Sequence, residues 1–204
     1  MSLSIIIITK NEEAQIKDCL ESVRFADEII LVDSGSTDKT LSIARAYATR
    51  IIETDWKGYS GTKMIALEAA TGDWILWLDA DERVQPSLQE EIQEVTKTGG
   101  LTGYYIARKA IFLGRWIKHC GWYPGYVIRL FKKEGARFSE NLVHESVYID
   151  GPTAHLKSPL IHYTDTSLDH YFIKFNKYTT LAARELFQSN YSCHLTDLIG
   201  RPIY

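Results

Sequence analysis

The sequence predicts an α/β protein with a mostly parallel central sheet flanked by helices, and with an amphipathic helix near its C-terminal end. Three observations carry that prediction. Apolar, β-branched runs at residues 3–8 and 28–32 alternate with helical periodicities through the first hundred residues. That is the βαβ rhythm of a parallel sheet with right-handed crossovers. The run Trp74-Ile75-Leu76-Trp77-Leu78 is continuously apolar, as expected of a strand buried on both faces. It stops abruptly at Asp79-Ala80-Asp81-Glu82, which places carboxylates at the end of a strand. In open α/β sheets that edge is where ligands bind.

Taken in order, residues 3–8 form the first strand and run into Thr9-Lys10-Asn11-Glu12-Glu13. These polar residues can cap a helix whose apolar positions are Ile16, Leu20 and Val23, or they can form a loop that meets a ligand at the sheet edge. Residues 28–32 form a second strand ending in Asp33-Ser34-Gly35-Ser36-Thr37-Asp38, followed by a helix over 39–48. The small turn lets backbone approach a ligand closely, and Asp33 can accept hydrogen bonds. It matches neither a Gly-x-Gly-x-x-Gly dinucleotide loop nor a P-loop with its lysine. A short third strand spans 50–53, and a helix follows Gly58-Tyr59-Ser60-Gly61-Thr62-Lys63 through residue 70. Lys63 near a helix start opposes the helix dipole, which hints at an anionic partner. After the Trp74 strand, Pro86 opens a helix with Leu88, Ile92 and Val95 on its apolar stripe, closed by Thr98-Gly99-Gly100. The rhythm then changes. Strands at 103–107 and 126–131 lack long helices between them. Residues 167–189 read as an amphipathic helix with Leu168, Tyr171, Phe172, Phe175, Tyr178, Leu181 and Leu186 on one face and Lys174, Lys177 and Arg184 outside it. That face is expected to pack on the sheet, with the basic flank suited to an anionic membrane surface. The tail 189–204 is weakly patterned and reads as a truncated end.

Composition narrows the class. With 204 residues, 45% hydrophobic, the chain is long enough for one globular core. A net charge of -3 argues against a general nucleic-acid binder. The three cysteines are widely spaced and form neither a metal-ligand pair nor a disulfide framework, so a reducing cytoplasm is expected. No signal-peptide pattern and no run of about 20 apolar residues is present in the sequence. The paired acids Asp79 and Asp81 repel unless a positive charge intervenes. A hard divalent cation, Mg²⁺ or Mn²⁺, bridging to a diphosphate would supply it. A strand followed by a helix N-terminus accounts for the same two residues. His144 and Glu145 stand side by side, so on a strand only one can face a site. His162 follows an apolar pair, and lone histidines are more often structural.

The ordered set Ile7-Ile8-Thr9-Lys10-Asn11-Glu12-Glu13, Leu31-Val32-Asp33-Ser34-Gly35-Ser36-Thr37-Asp38 and Gly72-Asp73-Trp74-Ile75-Leu76-Trp77-Leu78-Asp79-Ala80-Asp81-Glu82 resembles the family 2 glycosyltransferases, inverting enzymes of the GT-A fold. Gly121-Trp122-Tyr123-Pro124, Arg129-Leu130-Phe131, Val143-His144-Glu145 and His162-Tyr163-Thr164 are similar to the branch of bacterial lipopolysaccharide core β-glucosyltransferases. The resemblance covers residues 3–188. It implies one GT-A domain over 1–188, with a nucleotide-sugar-binding half at 1–100, an acceptor-facing half at 101–166 and the amphipathic helix at 167–188. Thr9, Asn11, Glu12 and Asp33 would line the uridine pocket, with Lys63 near the nucleotide. Asp79 would meet ribose or metal, Asp81 would be the main ligand of a Mn²⁺ or Mg²⁺ ion, and His162 would complete the metal or diphosphate environment. The partners implied are a UDP-sugar donor, a saccharide or lipid-linked saccharide acceptor and a peripheral contact with the inner membrane. Two positions depart from the family pattern: Met64 stands where Asn is expected after Lys63, and the membrane-associating segment that follows an Arg-Pro in the family is absent after Arg201-Pro202.

These parts imply transfer of a sugar, glucose for this branch, by single displacement with inversion. The anomeric carbon passes through an oxocarbenium-like state of the kind glycosidases also stabilise. Glu145 is the candidate base for the acceptor hydroxyl, His144 its rival, and Trp122 with Tyr123 the candidate acceptor platform. Two competing functions remain: a non-catalytic nucleotide-sugar-binding module, and a haloacid dehalogenase-like phosphohydrolase, in which an Asp-x-Asp also follows a buried strand.

Overall fold

The computed structural model describes residues 1–139, 147–192 and 194, leaving aside the side chain of Glu185. The parallel half is built from β1 (Leu3–Thr9), α1 (Ile16–Ser22), β2 (Glu28–Asp33), α2 (Thr40–Ala44), β3 (Arg50–Glu53), α3 (Gly58–Ala69) and β4 (Trp74–Asp79). A two-residue strand β5 (Glu82–Arg83) and α4 (Pro86–Thr98) follow. The second half contains β6 (Gly103–Phe112), β7 (Arg115–Trp116), β8 (Gly125–Lys132), β9 (Arg137–Phe138), β10 (Val147–Tyr148), β11 (Thr153–His155), β12 (Leu160–Asp165) and α5 (Leu168–Gln188).

The main sheet runs β3-β2-β1-β4-β8-β6-β12-β5, with β7 and β11 also paired to β6. β3, β2, β1 and β4 are parallel, as the βαβ rhythm predicts. β8 enters antiparallel between β4 and β6, so the complete sheet is mixed. Because side chains alternate across a strand, β1 and β4 feed two cores. Ile5, Ile7, Trp74, Leu76 and Leu78 pack with Ile16, Leu20, Leu88 and Ile92 of α1 and α4. On the other face, Ile6, Ile75 and Trp77 pack with Ala66, Leu67, Phe131 and Phe138. This two-sided burial is why both strands read as unbroken apolar runs.

Several elements differ from the sequence expectation. The polar residues after β1 do not cap α1: its N-cap is Gln15, without a side-chain hydrogen bond. α2 is one turn, not ten residues, because the segment after Ala44 turns back to start β3. α3 begins at Gly58, so Lys63 lies mid-helix and not near its start. α4 ends as expected, with Gly99 in the left-handed conformation (φ 67°) that closes helices. The acids after β4 do not begin a helix, since β5 intervenes. Finally, α5 does not lay its whole apolar face on the sheet. Tyr171, Lys174, Tyr178 and Leu181 form the half-buried inner stripe, while Leu168, Phe172, Phe175 and Phe187 are exposed, Phe187 at 84%.

Candidate active site

The strand register brings the acidic motifs to one edge. Thr9 is opposite Asp33, and Ile8 is opposite Asp79, so three neighbouring parallel strands end level. Beyond them opens a cleft of about 1100 Å³ that Thr9, Asn11, Glu12, Asp79, Asp81 and His162 line together. Six residues of the expected site, spread from position 9 to 162, thus meet in one place. A smaller hollow of about 490 Å³ on α5, lined by residues such as Thr179, Ala183 and Phe187, holds no such group of acids.

The turn from Asp79 to Glu82 is held from several sides. The Asp79 N–H donates to Glu82 Oε2 at 3.0 Å, and Arg83 donates to the carbonyls of Ala80 and Glu82. Short as it is, β5 pairs antiparallel with β12, setting His162 opposite Glu82. The Tyr163 N–H also donates to the Asp81 carbonyl at 2.9 Å. This pairing brings His162 Nε2 to 3.4 Å from Asp81 Oδ2. Burial works against a charge on His162, but the bond to Asp81 and the nearby acids outweigh it and hold its pKa above the ordinary value.

Asp79 belongs to a second cluster. Its Oδ2 accepts from Arg129 at 2.7 Å and its Oδ1 lies 3.6 Å from Lys63 Nζ. Arg129 also reaches Glu82 Oε1 at 2.5 Å, and Glu82 is fully buried. Both cations lie within 4 Å of the Trp77 ring centroid, Arg129 at 3.5 Å and Lys63 at 3.7 Å. Burial would raise the Asp79 pKa, yet Arg129 and Lys63 reverse that and hold it well below the usual carboxylate range. For Glu82 burial wins over Arg129, and its pKa is raised. Arg129 is raised, because Glu82 and Asp79 outweigh its own burial.

The loops after β1 and β2 are zipped together. The Asn11 N–H donates to Ser36 Oγ, and Asn11 Oδ1 accepts from the Thr37 N–H, both at 2.8 Å. Glu12 is fixed by its N–H on Thr40 Oγ1. Asp33 is buried, with its carboxylate accepting from the Gly35 and Ser36 N–H groups and from Ser36 Oγ, so it shapes the turn that supports the cleft and does not line it. Burial, followed by Asp81, pushes Glu12 up to about 7, against the opposing pull of Lys174. An acid whose pKa is raised on folding binds more protons when native than when unfolded, so it destabilises the native state as pH rises from about 4.5 to about 7. Glu12→Gln is therefore expected to raise the melting temperature of the metal-free, nucleotide-free protein at pH 8 and to leave it unchanged at pH 4.5. A lower melting temperature at pH 8 would show that Glu12 sits there without strain.

Among the expected acceptor residues, Trp122 and Tyr123 do not line the cleft. Trp122 packs edge-on against Phe112 and Tyr123 against Trp116. His144 and Glu145 lie outside the described residues. Sequence reasoning passed over Arg108 and the aromatic residues Trp56, Tyr59, Tyr105 and Tyr126, all of which line the cleft. It also passed over the structural part of Arg129, although the arginine stood in a noted motif. An arginine within the apolar run of β8, 1% exposed, was the available signal, because such a residue requires buried acids.

Whether the site suits a divalent cation can be tested on its own atoms. Asp81 Oδ1 is buried without a hydrogen-bond partner among the described residues, and Asp81 Oδ2 faces an imidazole. An unpartnered carboxylate oxygen is a donor that Mn²⁺ or Mg²⁺ accepts, and His162 becomes a further donor only on giving up the proton that its bond to Asp81 favours. Both Asp79 oxygens face cations already, so Asp81 and His162 fit the ion better than Asp79 does. Among the described residues no three His, Cys, Asp or Glu side chains form a complete cage.

The comparisons agree with this geometry. Residues 4–150 match the family described as glycosyl transferase family 2. The chain is 32% identical over 215 residues to the lipopolysaccharide core biosynthesis glycosyltransferase LpsC of Rhizobium meliloti, covering 99% of this chain and 78% of LpsC. It is also 32% identical over 197 residues to an uncharacterized glycosyltransferase of Rickettsia typhi, covering 90% of this chain and 68% of that protein. Among solved structures, S. aureus TarS 1-349 in complex with UDP-GlcNAc superposes with a TM-score of 0.61 at 17% identity, covering 82% of this chain and 60% of that one. A mixed sheet flanked by helices, acids gathered where its parallel strands end and a family match over residues 4–150 converge: the chain belongs to glycosyltransferase family 2 and has the GT-A fold.

Proposed function

We propose that the chain moves a sugar, glucose, from a UDP-sugar to a saccharide or lipid-linked saccharide of the lipopolysaccharide core or a similar envelope glycan. The observation that carries this reading is a set of buried polar atoms without partners among the described residues. Thr9 Oγ1, Asp81 Oδ1, Arg108 Nε and two nitrogens of Arg129 belong to residues that line the same cleft. Buried polar groups are ordinarily satisfied, and leaving them unpaired costs about 1–3 kcal/mol each. A polar, anionic ligand such as a nucleotide diphosphate supplies both acceptors and charge there. The likeness to LpsC supports the choice of acceptor.

In this reading Thr9, Asn11 and Glu12 hold the uridine, with Asp33 fixing the loop behind them. Asp79, oriented by Lys63 and Arg129, faces the ribose. Asp81 and His162 hold a divalent cation, which when bound acts as a Lewis acid on the diphosphate. Glu145 takes the proton from the acceptor hydroxyl, with His144 as its rival. None of the described helices is long and apolar enough to cross a membrane. The reading carries with it a cytoplasmic location, with peripheral contact at the inner membrane through the exposed Phe172, Phe175 and Phe187 of α5.

Binding is tested by thermal shift with a panel of nucleotide sugars, with and without Mn²⁺. Stabilisation by UDP-sugars that grows with Mn²⁺ is expected, since a ligand of the folded state raises its melting point. No shift with any UDP-sugar would overturn the donor. For the base, Glu145→Gln is expected to bind UDP-sugar as before while turnover falls by about 10²–10⁴. Unchanged turnover would move the base elsewhere.

A further inference from the structure

α5 carries two lysines into the cleft that the parallel half builds. Lys174 and Lys177, one turn apart, line it beside Tyr178, together with Glu12, Asp79 and Asp81. Lys174 donates to the Thr164 carbonyl at 3.3 Å, which ties the helix to β12, and it is among the charges that act on Glu12. Lys177 donates to the Tyr59 hydroxyl at 3.4 Å and lies 5.6 Å from that ring. Tyr178 hydrogen-bonds the same hydroxyl at 3.3 Å and stacks on Tyr59 with ring centroids 6.3 Å apart. Tyr59 in turn meets Trp56 edge-on at 4.9 Å. These contacts join α5 to the start of α3 beside the cleft, although 118 residues separate Tyr59 from Lys177.

The charge distribution says what the lysines are for. The cleft already holds three acids, Glu12, Asp79 and Asp81, and the two buried cations beside Asp79, Arg129 in the cleft lining and Lys63 behind it, are committed to Asp79 and Glu82. None of the described ion pairs uses Lys174 or Lys177. Two ammonium groups on one helix face, one steadied by the Thr164 carbonyl and one by Tyr59, and both opening on a cleft with buried donors unpartnered among the described residues, suit a ligand with two adjacent phosphates.

We propose that α5 forms one wall of the donor site and that Lys174 and Lys177 contact the diphosphate of the nucleotide sugar, with the Thr164 carbonyl setting the position of Lys174 and Tyr59 that of Lys177. This rests on the UDP-sugar reading above. It makes α5 a part of the transferase site in addition to any role of its exposed face. An ammonium that stays with the diphosphate as the sugar leaves also neutralises charge on the departing group.

The test compares UDP with uridine, which shares the base and ribose but lacks phosphates. Binding of UDP is measured by calorimetry in Mn²⁺ and binding of uridine by ligand-observed NMR, for the wild type and for Lys174→Gln/Lys177→Gln. The expected result is a loss of UDP affinity of tenfold or more, a weaker salt dependence of what remains, and unchanged uridine binding and melting temperature. Lys174→Arg/Lys177→Arg should keep UDP within about threefold of the wild type. UDP affinity unchanged in the Gln variant would overturn the proposal. So would an equal loss of UDP and uridine, because that marks a helix whose role is purely structural. A wild type that binds neither ligand overturns the UDP-sugar reading itself, an outcome distinct from either of these.

Discussion

Asp81→Ala is expected to lower sugar transfer by about 10²–10³ or more, the scale on which losing a single charge-stabilising group acts on a polar transition state. The fold should survive. Asp81 makes one described side-chain contact, with His162, and its other oxygen is buried without a partner. Removing the carboxylate therefore takes away a cost of burial as well as an interaction, and the melting temperature should hold or rise. His162 loses the bond and the charge that keep its pKa up, so it should titrate at lower pH in the variant. The checks are UDP release at saturating donor, the melting temperature, and the His162 pH titration by NMR. Chelation should reduce the wild type toward the level of the variant and leave the variant unchanged. Wild-type turnover by a folded Asp81→Ala protein would remove the acidic turn from the chemistry.

Arg129→Met is expected to cost about 3–5 kcal/mol of stability, the usual penalty for removing one partner of a buried ion pair. For a chain of this length that is roughly 6–20 °C in melting temperature. The damage comes mainly through Glu82, which is fully buried and loses the cation at 2.5 Å that offsets its charge. Asp79 contributes less, because its side chain is 34% exposed and keeps Lys63. Adding Glu82→Gln to Arg129→Met should recover a large part of the loss, since no unpaired charge is then buried. Urea unfolding of the two single variants and the double variant measures this coupling. A loss below about 1 kcal/mol in the single variant would mean that the cluster is screened from within the cleft.

Much of the parallel half was legible from local pattern. The runs at 3–8, 28–32 and 50–53 and the Trp74 run became β1, β2, β3 and β4, because strands buried on both faces must be apolar at every position. Pro86 and Gly99 marked the ends of α4 for reasons contained in their own backbone preferences. Elsewhere the period misled. The apolar stripe of α5 predicts a face packed on the sheet. The inner stripe instead carries Lys174 between Tyr171 and Tyr178, and Phe172 and Phe175 stay exposed, since contact with β12 and Tyr59 set the rotation of the helix.

The sequence by itself determined the layered α/β architecture, the positions of its parallel strands along the chain and the acids at their ends, since these follow from side-chain periodicity and short-range backbone chemistry. Only the tertiary structure decided that Asp81 faces His162, that Asp79 pairs with Arg129 and Lys63, and that α5 reaches into the cleft. Those meetings depend on the antiparallel pairings of β5 with β12 and of β8 with β4 and on one helix orientation, and none of these leaves a local signature in the residues it joins.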